Sequence, residues 1–286
     1  PHLLSRYRIL HCSRVISQEE SVASVLRDRN DSTMSLALAL LAEGRVDGVV
    51  SAGNTGALMA LGVKHIKCQP QLKRPAICAQ LPRQDGCFFL ADCGANISVT
   101  SKQLRDFALM ASALATHVEG VQRPRVALLN VGTEELKGTS VVKKAAALIE
   151  ADARLNFVGF VEGDHLFDSN VDVVVCDGFV GNVALKTTEG LALHVRDRIL
   201  QSVSRGWRRL FTPLTKALLY RVVNWLNPRR YNGAMLLGLE QVVVKSHGSA
   251  NTEAFLAAID CARRAVEAQL PASIRSVLEE TSDIGE

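Results

Sequence analysis

Residues 171–200 read VDVVVCDGFVGNVALKTTEGLALHVRDRIL, and this segment carries the clearest fold signal in the chain. An apolar, β-branched run is followed by a glycine-rich turn and then by a segment of helical period. A strand that scarcely alternates polar and apolar residues must be covered on both faces of its sheet. The stretch therefore predicts a buried strand, a turn, and a helix that begins near Val183 and packs back onto the sheet.

The same unit recurs at four further places along the chain. The apolar runs that open these units are VDGVVSAG, CFFLADCGAN, RVALLNVGTEE and QVVVKSHGSAN. Alternating strands and helices predict an α/β fold, with a mostly parallel sheet between two helix layers in a three-layer αβα sandwich. We treat residues 1–286 as a single domain.

Polar turns follow the strand of each unit. In a parallel sheet all of them would lie at one edge, which is where open α/β sheets bind ligands. The helix N-termini there present free N–H groups and a positive dipole end, which favour an anion. Glycine and asparagine are equally typical of turns and helix caps that bind nothing.

The turns also carry amide, hydroxyl and ammonium groups, which are the donors that a bound phosphate needs. We expect the substrate and phosphate site among these residues. They are Gly53, Asn54, Thr55, Gly56, Asp92, Asn96, Thr133, Lys137, Asp177, Gly181, Asn182, Lys186, His247, Gly248 and Ser249.

Composition and the lack of certain motifs disfavour several classes of protein. The net charge of +4 is too mild to predict a nucleic-acid partner. The sequence has no P-loop motif, no G-x-S-x-G and no HExxH, which disfavours a P-loop nucleotide site, a serine hydrolase and a zinc peptidase. The seven cysteines form no CxxC pair, so we expect reduced thiols rather than disulfides or a metal site. We see no signal peptide and no apolar stretch long enough to span a bilayer.

Six stretches of the chain resemble one known family. They are SAGNTGALM, DCGAN, RPRVALLNVGTEELKG, NFVGFVEGDHLFD, VDVVVCDGFVGNVALKTTEG and GAMLLGLEQVVVKSHGSAN. Together they resemble the phosphate acyltransferase family of bacterial phospholipid synthesis, often called PlsX.

The resemblance implies a fold related to isocitrate and isopropylmalate dehydrogenases, and usually a homodimer. It implies attack of inorganic phosphate on the thioester of acylated acyl carrier protein, with no cofactor and no metal. It also implies a cytoplasmic enzyme that associates peripherally with the inner face of the cell membrane. The family opens with a strand and a VDAMGGD-like loop that this sequence lacks, so we expect a piece of a longer protein.

Catalytic roles follow as hypotheses. Lys186 and Lys137 would hold phosphate, while Asn54, Asn182 and His247 would polarise the carbonyl or manage protons. Each has an alternative: a lysine can be a solvated helix residue, and a histidine can be a cap or a core residue. Asp92 and Asp177 could serve only to order neighbouring amides. A covalent route through Cys93 or Cys176 is the weaker alternative, because their surroundings are apolar.

Residues 200–232 form a basic and apolar arm, which Pro213 and Pro228 divide into amphipathic segments that predict a helical hairpin. Arginine and tryptophan beside apolar faces suit a membrane interface, and the same charges suit an acidic carrier protein. A dimer interface is the further alternative. The contact residues would be Arg205, Trp207, Arg208, Arg209, Arg221 and Trp225.

Three other functions stay open. KSHGSAN resembles the cofactor loop of metal- and NAD-dependent 2-hydroxy acid dehydrogenases, although we see no aspartate cluster for the metal. A phosphate acetyltransferase acting on acyl-CoA is chemically nearer. A non-catalytic, membrane-associated scaffold is the third.

Overall fold

The computed structural model describes residues 7–28, 31–83, 86–168, 170–204 and 231–279. The helices of these residues are α1 Val22–Asp28, α2 Thr33–Ala42, α3 Thr55–Ile66, α4 Ser101–Glu119, α5 Ser140–Glu150, α6 Gly178–Ser204, α7 Thr252–Glu267 and α8 Leu270–Glu279. The strands are β1 Gly48–Ser51, β2 Ala76–Arg83, β3 Gly86–Ala91, β4 Arg125–Leu129, β5 Asn156–Val161, β6 Val173–Val175, β7 Ala234–Leu237 and β8 Val242–Lys245.

The five predicted strand–turn–helix units are present as β1–α3, β3–α4, β4–α5, β6–α6 and β8–α7. Residues of β6 from Val173 to Val175 are fully buried, as their uninterrupted apolar sequence requires. Helices α4, α5, α7 and α8 contribute to one buried cluster of the sheet, and α1, α2 and α3 contribute to the other. Burial of each large aliphatic side chain contributes about 1.5–3 kcal/mol. The prediction of an α/β fold with a mostly parallel sheet is confirmed.

The eight strands form one sheet in the order β1-β8-β7-β2-β3-β6-β4-β5. The pairs β8–β7, β7–β2 and β2–β3 are antiparallel, and the other four neighbouring pairs are parallel. Strands β1 and β8 therefore run opposite to β3, β6 and β4. The prediction that all five polar turns share one edge is wrong, because β2 and β7, which the pattern did not reveal as strands, reverse the direction.

The register nevertheless brings the carboxyl ends of the two sets of strands together. One row of paired residues crosses seven strands: Val50, Val244, Met235, Cys78, Ala91, Val175 and Leu128. Strands β3 and β6 end on this row, and β1, β8 and β4 end one residue beyond it. The two sets thus meet at the same level of the sheet. Strands β7 and β2 separate β8 from β3 by about 14 Å, at the usual strand spacing.

The predicted arm falls mainly on residues 205–230, which lie outside the described residues, as do all six of its proposed contact residues. Its first residues form the end of α6, which runs to Ser204. In the part of the chain that the structure describes, no helix is both long and apolar enough to cross a membrane.

Candidate active site

The loop after β8 is held rigidly by hydrogen bonds. The Ser246 amide donates to the Ser51 carbonyl oxygen at 2.9 Å, which joins the ends of β8 and β1. The side-chain amide of Asn232 donates to Ser246 Oγ at 2.8 Å and to the Ala254 carbonyl oxygen at 2.7 Å. Its oxygen accepts from the His247 amide at 2.8 Å. Asn232, which sequence reasoning assigned to the arm, therefore fixes the backbone that presents His247.

The exposed ring of His247 has a defined tautomer. Its Nδ1 accepts a hydrogen bond from the Ser249 amide at 3.1 Å and lies 2.8 Å from Ser249 Oγ. A backbone N–H can only donate, so Nδ1 carries no proton and the neutral ring is protonated at Nε2. The exposed ring of His247 therefore has an N–H donor at Nε2.

Lys245, the last residue of β8, is a cation that sequence reasoning missed. Its ammonium group contacts the Ser246 carbonyl oxygen. Burial, and then the charge of Lys186, lower its pKa to about 8. No carboxylate of the described residues forms an ion pair with it. The available signal was a lone lysine that ends the apolar run VVVK.

The DCGAN loop after β3 is organised by a fully buried carboxylate. Asp92 Oδ1 accepts from the amides of Ile77 at 2.9 Å and Ala95 at 3.1 Å. Its Oδ2 accepts from the Asn96 amide at 2.6 Å and from Asn96 Nδ2 at 3.0 Å. Burial raises the pKa of Asp92, and these hydrogen bonds oppose that rise. Asp92 and Asn96 therefore shape the loop, and neither presents its principal donor or acceptor to solvent.

Helix α6 begins at Gly178, five residues before the predicted start. Asp177 Oδ1 accepts from the Val180 amide at 2.8 Å and so caps the helix. The Gly178 amide donates to the Asn96 carbonyl oxygen at 2.8 Å, which ties the helix start to the DCGAN loop. The glycines that predicted a turn serve instead as points of close approach within the first helical turns.

Gly181 gives a sharp test of this packing. A Cβ placed on Gly181 would overlap the Asp92 carbonyl oxygen and lie 2.9 Å from Cys176 Sγ. We expect Gly181→Ala to lower the free energy of unfolding by about 2–4 kcal/mol, measured by urea denaturation, because neither group can move away freely. Gly190→Ala is the matched control, since a Cβ there meets nothing within 4 Å. It should raise stability by about 0.5–1 kcal/mol, and equal effects of the two changes would contradict the packing.

Two predicted residues lie on the exposed first turns of α6. Asn182 is exposed and faces Gly94, where an added Cβ would lie 3.6 Å from Asn182 Oδ1. Lys186 is half exposed, and its Nζ lies 2.8 Å from Glu189 Oε2. After burial, the charge of Lys186 is the second cause of the lowered pKa of Lys245.

The turn after β1 is closed by its own asparagine. Asn54 Oδ1 accepts from the Ala57 amide at 3.0 Å, which caps α3, and Nδ2 donates to the Gln18 carbonyl oxygen at 2.8 Å. A Cβ on Gly53 would lie 2.6 Å from the end of the Met34 side chain, and one on Gly56 would lie 3.1 Å from Val22 Cγ2. Thr55 begins α3, and Gly248 lies near the Ala52 carbonyl oxygen. Since both ends of its amide are in use, Asn54 has a structural role here.

The turn after β4 contains an ion pair of its own. Thr133 is exposed, and Lys137 Nζ forms an ion pair with Glu134 at 2.8 Å. The hydrogen bond to Glu134 raises the pKa of Lys137. No described contact joins this turn to Lys186 or Lys245.

Neither cysteine near the turns is placed to attack a substrate. Cys93 and Cys176 are buried, and burial raises the pKa of each thiol, so the reactive thiolate is disfavoured. Among the described residues no group of three or more His, Cys, Asp or Glu side chains could hold a metal ion.

The eight-stranded sheet and its two helix layers define an α/β protein, and its neighbours among solved structures have phosphotransacetylase-like folds. The structure is similar to the phosphotransacetylase EutD of Staphylococcus aureus, with a TM-score of 0.54, 18% identity, and coverage of 85% of this chain and 74% of that one. It is also similar to a branched-chain phosphotransacylase of Enterococcus faecalis, with a TM-score of 0.54, 19% identity, and coverage of 90% and 82%.

Sequence comparison is more specific. Residues 1–273 match the family described as fatty acid synthesis protein. A phosphate acyltransferase of Pseudomonas syringae is 48% identical over 276 residues, which span 96% of this chain and 81% of that protein. One of Cellvibrio japonicus is 45% identical over 279 residues, or 97% and 83%. The chain belongs to the fatty acid synthesis protein family.

Proposed function

We propose that the protein is a phosphate acyltransferase that converts acyl-[acyl carrier protein] and inorganic phosphate to acyl phosphate and free carrier protein, in phospholipid synthesis. Relatives at 45–48% identity that bear the name phosphate acyltransferase support the reaction class. The observation that carries the proposal is the position of Lys245 and His247 at the end of β8, at the level of the sheet where β6, the strand that precedes the Lys186 helix, also ends.

Phosphate is held between Lys245 and Lys186. The two ammonium groups repel each other, and part of the lowered pKa of Lys245 expresses that repulsion. A phosphate dianion between them replaces repulsion with two charge-assisted contacts. Lys186 would exchange its ion pair with Glu189 for the phosphate. Holding the nucleophile beside the thioester makes the reaction effectively unimolecular.

A phosphate oxygen then attacks the thioester carbonyl carbon, and a C–O bond forms while the carbonyl oxygen gains negative charge. The Nε2–H of His247 would donate to this oxygen, and the exposed amide of Asn182 would be a second donor. Collapse of the intermediate breaks the C–S bond. The thiolate of the carrier protein leaves and takes the proton that the attacking hydrogen phosphate gives up, and acyl phosphate remains. This proposed reaction requires neither a metal nor a cofactor.

The proposal also includes the fold subtype, the oligomeric state and the membrane contact that the family resemblance implies. The two helix layers support the isocitrate/isopropylmalate dehydrogenase-like αβα sandwich. The composition of residues 200–232 supports a helical hairpin that serves homodimer formation and peripheral contact with the inner face of the cell membrane.

Substrate choice tests the proposal. Thioester loss is followed for palmitoyl-acyl carrier protein and for palmitoyl-CoA, with and without phosphate, and acyl phosphate is trapped with hydroxylamine. We expect phosphate-dependent loss with trapped product, faster for the carrier protein. Preference for the CoA thioester would instead support an acetyltransferase-like enzyme, and no turnover of either would support the scaffold.

The pH dependence should report Lys245. Because its pKa is lowered to about 8, the ammonium group is charged below that pH and its charge is lost as pH rises through it. We expect kcat/KM for phosphate, which reports the free enzyme, to fall above pH 8. In Lys245→Arg the charge persists, so the fall should disappear or move to higher pH. The same fall in both proteins would assign it to another group.

A further inference from the structure

Exposed apolar side chains lie beside the proposed phosphate site. Phe179 and Val183 on α6 are 61% and 49% exposed, and Ile97 in the loop after β3 is 72% exposed. Single exposed apolar residues are ordinary on a protein surface. Neighbouring ones beside a proposed ligand site indicate a surface that binds an apolar group. We call these three residues the apolar stripe.

Helical spacing and one backbone hydrogen bond place the residues of the stripe next to one another. Phe179, Val183 and Lys186 are spaced four and three residues apart, so they share one face of α6. Ile97 follows Asn96, whose carbonyl oxygen accepts from Gly178, the residue before Phe179. Val131 and Leu136, 75% and 87% exposed, extend the apolar character to the turn after β4, a strand that neighbours β6.

We propose that the apolar stripe binds the fatty acyl chain of the substrate, with the reacting carbonyl at the Lys186 end. This inference rests on the proposed function and adds the chain-binding surface. An acyl phosphate has a charged head followed by a methylene chain, and α6 offers an ammonium group followed by apolar side chains in the same order. The distance from Lys186 to Phe179 along the helix is about 10 Å, which accommodates several methylene groups.

Continuity with the lysines is what favours an acyl chain over a second copy of the chain. The stripe adjoins Lys186 and is built from the strand-end loops that form the proposed site. A self-association patch would instead centre on an apolar face of its own, such as the exposed Leu191, Leu193 and Val195 farther along α6, which are not part of the stripe. Leu256 on α7 is equally exposed, at 63%, but it lies between Glu253 and Asp260, whose charges repel a phosphate.

The test compares chain lengths. We expect Phe179→Ser and Val183→Ser each to lower the ratio of kcat/KM for palmitoyl- to butyryl-acyl carrier protein about tenfold, because the longer chain loses more apolar contact. Leu256→Ser, the matched control, should leave the ratio unchanged. Binding of cis-parinaric acid, a fluorescent long-chain fatty acid, is measured on the same proteins and should weaken in the stripe variants only.

Each outcome decides the proposal. An unchanged ratio, or an equal loss for both chain lengths, would overturn it while leaving the phosphate acyltransferase reaction intact. A change in molecular mass of the stripe variants with unchanged parinarate binding would assign the stripe to a second copy. If the wild-type chain turns over no thioester, the proposed function fails, and parinarate binding alone still decides whether the stripe holds a fatty acyl chain.

Discussion

Replacing Lys245 by methionine is expected to lower kcat/KM for phosphate about a hundredfold, since a preorganised charged donor at a reacting group contributes on that scale. Methionine keeps much of the buried volume, so the fold should persist. The effect should exceed that of Lys186→Ala, because Lys186 is half exposed and already paired with Glu189. Steady-state kinetics at varied phosphate concentration measure both.

Lys144, exposed on α5, supplies the matched control. Lys144→Met should change kcat/KM for phosphate less than twofold, as expected for an exposed charge far from a ligand. Normal saturation by phosphate in Lys245→Met would remove this residue from the site. In that case the position of Lys245 at the end of β8 would have no role in phosphate binding.

The largest expected effect on stability follows removal of the Asp92 carboxylate. Asp92→Ala leaves the amides of Ile77, Ala95 and Asn96, and the Asn96 side chain, without their acceptor in a fully buried place. Each unsatisfied buried donor costs about 1–3 kcal/mol, and partial relaxation of the loop reduces the sum. We expect a loss of about 3–5 kcal/mol in the free energy of unfolding, measured by urea denaturation.

Two further substitutions separate shape from charge. Asp92→Asn keeps the shape but turns a donor toward Asn96, so it should also destabilise, by less than alanine does. Asp47→Ala, at an exposed position before β1, should change stability by less than about 0.5 kcal/mol. A stability of Asp92→Ala close to that of the wild type would show that the DCGAN loop does not depend on this carboxylate.

Much of the fold could be predicted because the informative signals are local. The stretch VDVVVCDGFVGN specifies a buried strand and a helix start within a dozen residues, whatever surrounds it. Strands β2 and β7 were not predicted. A mixed segment such as AICAQLPR has no clear period of polar and apolar residues, and whether it forms a strand depends on neighbours far along the chain. The direction of β8 relative to β3 depends on those two strands, so it was predicted wrongly.

Only some residues of the candidate site could be predicted, for a similar reason. Lys186 and His247 could be proposed from their turns, but sequence does not show whether an asparagine or aspartate faces a ligand or its own backbone. Asn54 and Asp92 both face backbone groups in the structure. Lys245 was missed because a single lysine at the end of a strand is ordinary until the register places that strand end at the level where β6 also ends.

The most direct test of the central claim follows ³¹P NMR spectra and thiol release together, with palmitoyl-acyl carrier protein and inorganic phosphate as substrates. If phosphate held by Lys245 and Lys186 is the acyl acceptor, one acyl phosphate should form for each thiol released, and thiol release should cease without phosphate. Thiol release that continues without phosphate, or that yields free fatty acid in place of acyl phosphate, would contradict the claim.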